Sequence, residues 1–121
     1  MKVIRIISIL VAVMGLVHIV ATFSPLIGGK LVNLDPGTYH AMIYMSLMCG
    51  LLLIVLGGYI TWVIAKVAES PILKPTLQIA AALLLIDGVA AVCFMPHNPF
   101  AWTIFILNGI VGCYSLFCKS R

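Results

Sequence analysis

Apolar positions along this chain fall into four long stretches, and the polar positions gather between them. The stretches run over about 4–24, 38–65, 76–95 and 100–118, each close to or beyond the ~20 residues a helix needs to cross a hydrocarbon core of roughly 30 Å. Apolarity within them is continuous, whereas the strands of a lipid-facing barrel would alternate apolar and polar residues. The pattern predicts an all-α protein, an integral membrane four-helix bundle forming a single domain.

The polar breaks carry helix signals of their own. Asp35-Pro36, Ser70-Pro71 and Asn98-Pro99 each set an N-cap residue before a proline. Proline suits the first helical position because its missing N–H would have had no intrahelical acceptor there. Pro25 and Pro96 close the first and third stretches, since proline and the residue before it resist the helical backbone. Pro75 leaves two starts open for the third helix, Pro71 with a kink or Pro75 itself.

Composition strengthens the membrane reading, and charge adds an orientation. At 64% hydrophobic and 8% charged residues, with mean hydropathy +1.25, the chain fits neither a soluble domain nor a disordered tail. Lys2 and Arg5 precede the first stretch, Lys66 and Lys74 separate the second and third, and Lys119 and Arg121 end the chain, leaving only Lys30 on the other side. This positive-inside bias predicts an N-in/C-in protein of a bacterial inner (plasma) membrane, both termini cytoplasmic. The net charge of +4 is thereby accounted for, and with no basic stripe interleaved with aromatics it points to no nucleic-acid partner. Met1 to Arg5 resembles the n-region of a signal peptide. The length of the apolar stretch, His18 inside it and the absence of a small-x-small site near Ser24-Pro25 favour a retained helix.

Four cysteines, Cys49, Cys93, Cys113 and Cys118, form neither a C-x-x-C motif nor the paired spacing of a zinc site. They read as buried, free thiols behaving as small hydrophobes, and no metal site is expected.

The remaining chemistry sits within the stretches. Counted inward from the outer helix ends, His18, Asp87 and Asn108 share a layer roughly 9–12 Å below the outer boundary. Tyr44 and Met48 of the second stretch lie near it. Asp87 lies in "LLLIDGVAAV", where every other residue is apolar or glycine. A central acid costs about 2.5–3.5 kcal/mol on insertion scales, so its side chain should face the bundle interior beside Ala80, Leu84 and Ala91. No lysine or arginine falls between Arg5 and Lys30, Lys30 and Lys66, or Lys74 and Lys119. Asp87 is therefore expected to bond to Asn108, to exchange a proton with His18, or to meet a bound cation or a ligand hydroxyl or amine.

Several features have plainer readings. Asn108 alone is ordinary interhelical glue. Ser46, Gly50, Gly57 and Thr61, like Gly109, Gly112 and Ser115, recur at helical spacing as close helix contacts require. Met42, Met45 and Met48 fill irregular apolar space, and Trp62 and Trp102 read as interface anchors. Haem would need a second buried histidine beside His18, whereas His40 and His97 fall at the rim.

On helix count, the plan is similar in outline to DoxX-like and EXPERA-type membrane domains, which also place polar residues inside a compact bundle. Its length resembles that of small multidrug transporters, from which it departs in having no glutamate in the first helix and a one-sided charge bias. Two readings follow. One is a binding protein or lipid-modifying enzyme whose outer pocket, with His18, Tyr44, Met48, Asp87 and Asn108, takes a lipid, quinone or sterol-like molecule, His18 and Asp87 carrying any catalytic proton transfer. The other is an accessory or immunity-type subunit whose polar layer meets another membrane protein. A homo-oligomeric, proton-coupled carrier is a weaker third.

Overall fold

The computed structural model describes residues 2–25, 27–67 and 69–117. Every regular element in them is helical. α1 (Lys2–Thr22) is followed by a short helix, α2 (Gly28–Leu31), in the first loop. Next come α3 (Pro36–Lys66), α4 (Lys74–Phe94) and α5 (Pro99–Phe117), a 3-10 turn at Pro71–Leu73 leading directly into α4. The four long segments, 21, 31, 24 and 19 residues when that turn is counted with α4, are each long and apolar enough to cross a membrane. Cys118, Lys119 and Arg121, used above for spacing and charge, lie outside the described residues, as does Met1.

The proline breaks work as local chemistry requires. Asp35 caps α3, its Oδ2 accepting from the Thr38 amide at 2.9 Å, and this fully exposed carboxyl is held below its ordinary pKa by hydrogen bonding to Thr38, its side chain first and its amide second. Asn98 does the same for α5, its Oδ1 accepting from Phe100 N at 3.0 Å. Ser70 makes no such bond, and Pro71 opens the 3-10 turn. Both candidate starts of the third segment are thus used, Pro71 for the turn and Pro75 within the first turn of α4. α3, about 46 Å long at ~1.5 Å per residue, exceeds the core thickness, and its first turns stand free with His40, Met42 and Tyr44 exposed.

The helices form a ring, α1 beside α3 and α5, α4 beside α3 and α5, and the packing within it is uneven. α1 and α3 make one extensive pair and α4 and α5 the other. Glycine explains the first: a Cβ on Gly15 would stand 2.5 Å from Gly50 O, and one on Gly57 2.7 Å from Ser8 O, so the backbones approach as only residues without side chains permit. In the second pair Gly112 receives the Leu85 side chain. The core is aliphatic, with Val11, Leu53, Ile60, Leu84, Ile104 and Val111 fully or almost fully buried. The outer surface is aliphatic too, with Leu10, Val17, Val55, Ile79, Ile86 and Ile106 exposed. A bundle apolar both inside and outside suits a hydrocarbon solvent.

The cysteines need a correction. Cys93 and Cys113 are exposed on this apolar exterior and Cys49 is half-buried, because each sits at a helical phase turned wholly or partly away from the ring centre. Only the expectation that they are unpaired describes these three.

Candidate functional site

The polar layer separates into two hydrogen-bonded groups, both attached to one face of α3. Ser46 and Cys49, three residues apart, are neighbours on that face. Ser46 serves the first group and Cys49 the second.

In the first, Ser46 Oγ lies 3.0 Å from His18 Nε2 and 2.6 Å from Thr22 Oγ1. Thr22 Oγ1 donates to the carbonyl of His18 at 2.8 Å. A hydroxyl has one proton to give. Thr22 gives its proton to that carbonyl, so Ser46 must donate to Thr22, and His18 Nε2 must carry the hydrogen that Ser46 accepts. The ring closes in one proton order only, with Nδ1 left as an acceptor when the imidazole is neutral. Phe100 stacks on His18 at 5.0 Å between ring centroids, fixing the plane of the ring and tying α5 to α1.

In the second, Asn108 Nδ2 donates to Asp87 Oδ2 at 3.2 Å, and Cys49 Sγ approaches Asp87 Oδ1 at 3.8 Å. Asn108 is completely buried, and its Oδ1 is without a partner. Gly88 makes room for it, since a Cβ there would come within 3.3 Å of the Asn108 side chain. Asp87 itself is only partly covered. It lies where α4 meets α3, a much slighter contact than that within either helix pair. The opposite end of this seam is pinned by Tyr59 Oη, which donates to Thr76 Oγ1 at 2.7 Å.

The expected residues are therefore divided. Asp87 and Asn108 are in contact, while His18 lies in the other group and no hydrogen bond joins it to Asp87. Tyr44 and Met48 are 64% and 46% exposed, on the outward face of α3. They stand two positions either side of Ser46, and residues two apart on a helix point nearly opposite ways. The three histidines are not brought together, since His40 and His97 are exposed at the rim. No group of three His, Cys, Asp or Glu side chains able to hold a metal occurs among the described residues.

Thr22, Ser46, Cys49 and Phe100 complete the site. The buried positions of α3, Gly50, Leu53, Leu56, Gly57 and Ile60, extend back through Cys49 and Ser46 by steps of three and four, and that phase is the sequence signal for two of them. Thr22 follows from His18 by one helical turn.

Geometrically the site is a partly covered carboxyl and two small hydrogen-bonded groups, placed where the slight α3–α4 contact joins the two extensive helix pairs. Comparison with family models, curated proteins and solved structures finds no match to the chain.

Proposed function

We propose that this is a small integral membrane protein that binds an amphipathic molecule in the outer half of its bundle. The ligand's head sits on Asp87 and its tail lies along the apolar exterior of the α3–α4 seam. The orientation we assign is N-in/C-in in a bacterial inner membrane, on the charge bias of the loops. The observation that carries this reading is Asp87: a partly accessible carboxyl between apolar helices, bonded only to an amide and a thiol. An intramembrane acid is costly to keep. Interhelical hydrogen bonding alone would be served as well by a neutral amide. The lipid, quinone and sterol-like classes all fit the apolar surroundings, and binding is favoured over catalysis because His18 and Asp87 bond to separate partners.

The test is purification in mild detergent, followed by extraction of bound small molecules and mass spectrometry. The wild-type protein should carry an amphiphile that Asp87→Asn, equally folded by circular dichroism, has lost. An identical extract from both proteins would contradict the proposal, and a membrane protein recovered in fixed ratio without any small molecule would point to an accessory subunit.

A further inference from the structure

The hydrogen-bond inventory of the site allows its ligand to be narrowed. Donors are nearly exhausted. The Thr22 hydroxyl is committed to His18 O, the Ser46 hydroxyl to Thr22, and the His18 Nε2 hydrogen to Ser46. The Cys49 thiol and one Asn108 amide hydrogen are directed at Asp87. The remaining hydrogen on Asn108 belongs to a side chain with no exposed surface.

Acceptors are in surplus. A carboxylate offers about four lone-pair positions, and two of those on Asp87 are filled, one of them by a weak thiol donor. Asn108 Oδ1 also lacks a donor, but it is sealed in like the spare amide hydrogen, so the surplus a ligand head can reach is on Asp87. If the amide were turned and a protonated Asp87 donated to it, the orphaned atom of Asn108 would become its nitrogen, but the Asp87 carbonyl oxygen would still be an acceptor. The basic residues of the long helices, Lys2, Arg5, Lys66 and Lys74, all sit at helix ends away from this layer.

We infer that the site selects amphiphiles whose head donates hydrogen bonds, an ammonium or a hydroxyl, over those whose head only accepts them. The inference rests on the binding reading above and deepens it: alkyl amines, sterols and quinols belong to the favoured class, quinones and ethers to the disfavoured one. Burying a head that can only accept would set lone pairs against lone pairs, and unpaired acceptors in an apolar seam keep their desolvation cost.

The experiment uses wild-type protein in mild detergent and three probes sharing one sixteen-carbon tail: hexadecylamine, hexadecan-1-ol and hexadecyl methyl ether. Occupancy is read by native mass spectrometry with the probes in equimolar competition. The amine and the alcohol should each exceed the ether by at least about tenfold, as a hydrogen bond to a charged group implies. In Asp87→Asn the advantage of the amine over the alcohol should vanish. Equal occupancy by all three probes would overturn the donor inference while leaving amphiphile binding intact. Binding of none would overturn the binding reading and the inference with it. The wild-type comparison decides between these outcomes even if the variant does not fold.

Discussion

The seam within each helix pair and the seam between the pairs are built on opposite principles. Between α1 and α3 the backbones meet through Gly15, Gly50 and Gly57, and between α4 and α5 Leu85 fills the space at Gly112. Between α3 and α4 the hydrogen-bonded links are side-chain contacts, 3.8 Å between Cys49 and Asp87 and 2.7 Å between Tyr59 and Thr76. Close backbone packing gives a stiff scaffold, because nothing flexible is available to yield. Side-chain contacts can be exchanged for contacts with a guest. The difference suggests why the polar chemistry gathers at the looser seam.

Polar bonds away from the site are of both kinds. Ser8 Oγ donates to Ile4 O and Thr61 Oγ1 to Gly57 O, each within its own helix, whereas Tyr59 Oη donates across to Thr76 and Gln78 Nε2 to Leu116 O. In the site Ser46, Cys49 and Asn108 all reach across to other helices. Hydroxyls that bond back to their own turn are neutral for association, whereas those that cross between helices hold neighbours in place.

This contrast can be broken at its stiff side first. Gly15→Ala puts a methyl where Gly50 O stands 2.5 Å away and should cost about 1–3 kcal/mol in unfolding experiments in mixed micelles. Gly58→Ala, exposed on α3 beside the buried Gly57, meets nothing within 4 Å and should change stability by no more than about 0.5 kcal/mol. Equal losses in both would remove the distinction between a backbone-packed seam and an open surface.

A smaller effect is expected at Ser46→Ala. It opens the His18–Ser46–Thr22 ring, and the loss should be about 0.6–2 kcal/mol. The His18 ring nitrogens should shift together in NMR spectra, because the fixed tautomer loses the acceptor that holds it. An unchanged tautomer would show that Ser46 does not impose the proton order.

The four helices and their breaks were readable in advance because bilayer crossing sets length and apolarity together, and because Asp35 and Asn98 cap in ways that depend only on neighbouring residues. Pairing Asp87 with Asn108 was readable from depth alone. Ser46 and Cys49 were not, since a serine in a small-residue stripe and a cysteine in an apolar run look like packing until the helical phase places them beside His18 and Asp87. Tyr44 and Met48 show the converse: depth put them in the layer, but phase turned them outward. α2 was also unforeseen, being a single turn that buries Leu31.

The smallest effect concerns Asp35, at the rim and apart from both seams. Its pKa is lowered by hydrogen bonding to the Thr38 side chain and then its amide, so the cap's contribution is complete above the unfolded-state pKa near 3.8 and is lost as pH falls through the lower folded value. The Thr38 amide resonance should titrate with a midpoint below 3.8 and should cease to titrate in Asp35→Asn, which still caps the helix.

Asp35 then serves as the internal reference for the decisive measurement. Asp35 and Asp87 are the only aspartates in the 121 residues, so protein labelled with carbon-13 at the aspartate side-chain carboxyl gives two signals. Titration with hexadecylamine should move the Asp87 signal saturably and leave that of Asp35 in place. If the amphiphile reaches saturation and the Asp87 carboxyl signal has not moved, the ligand does not bind at Asp87 and the central claim fails.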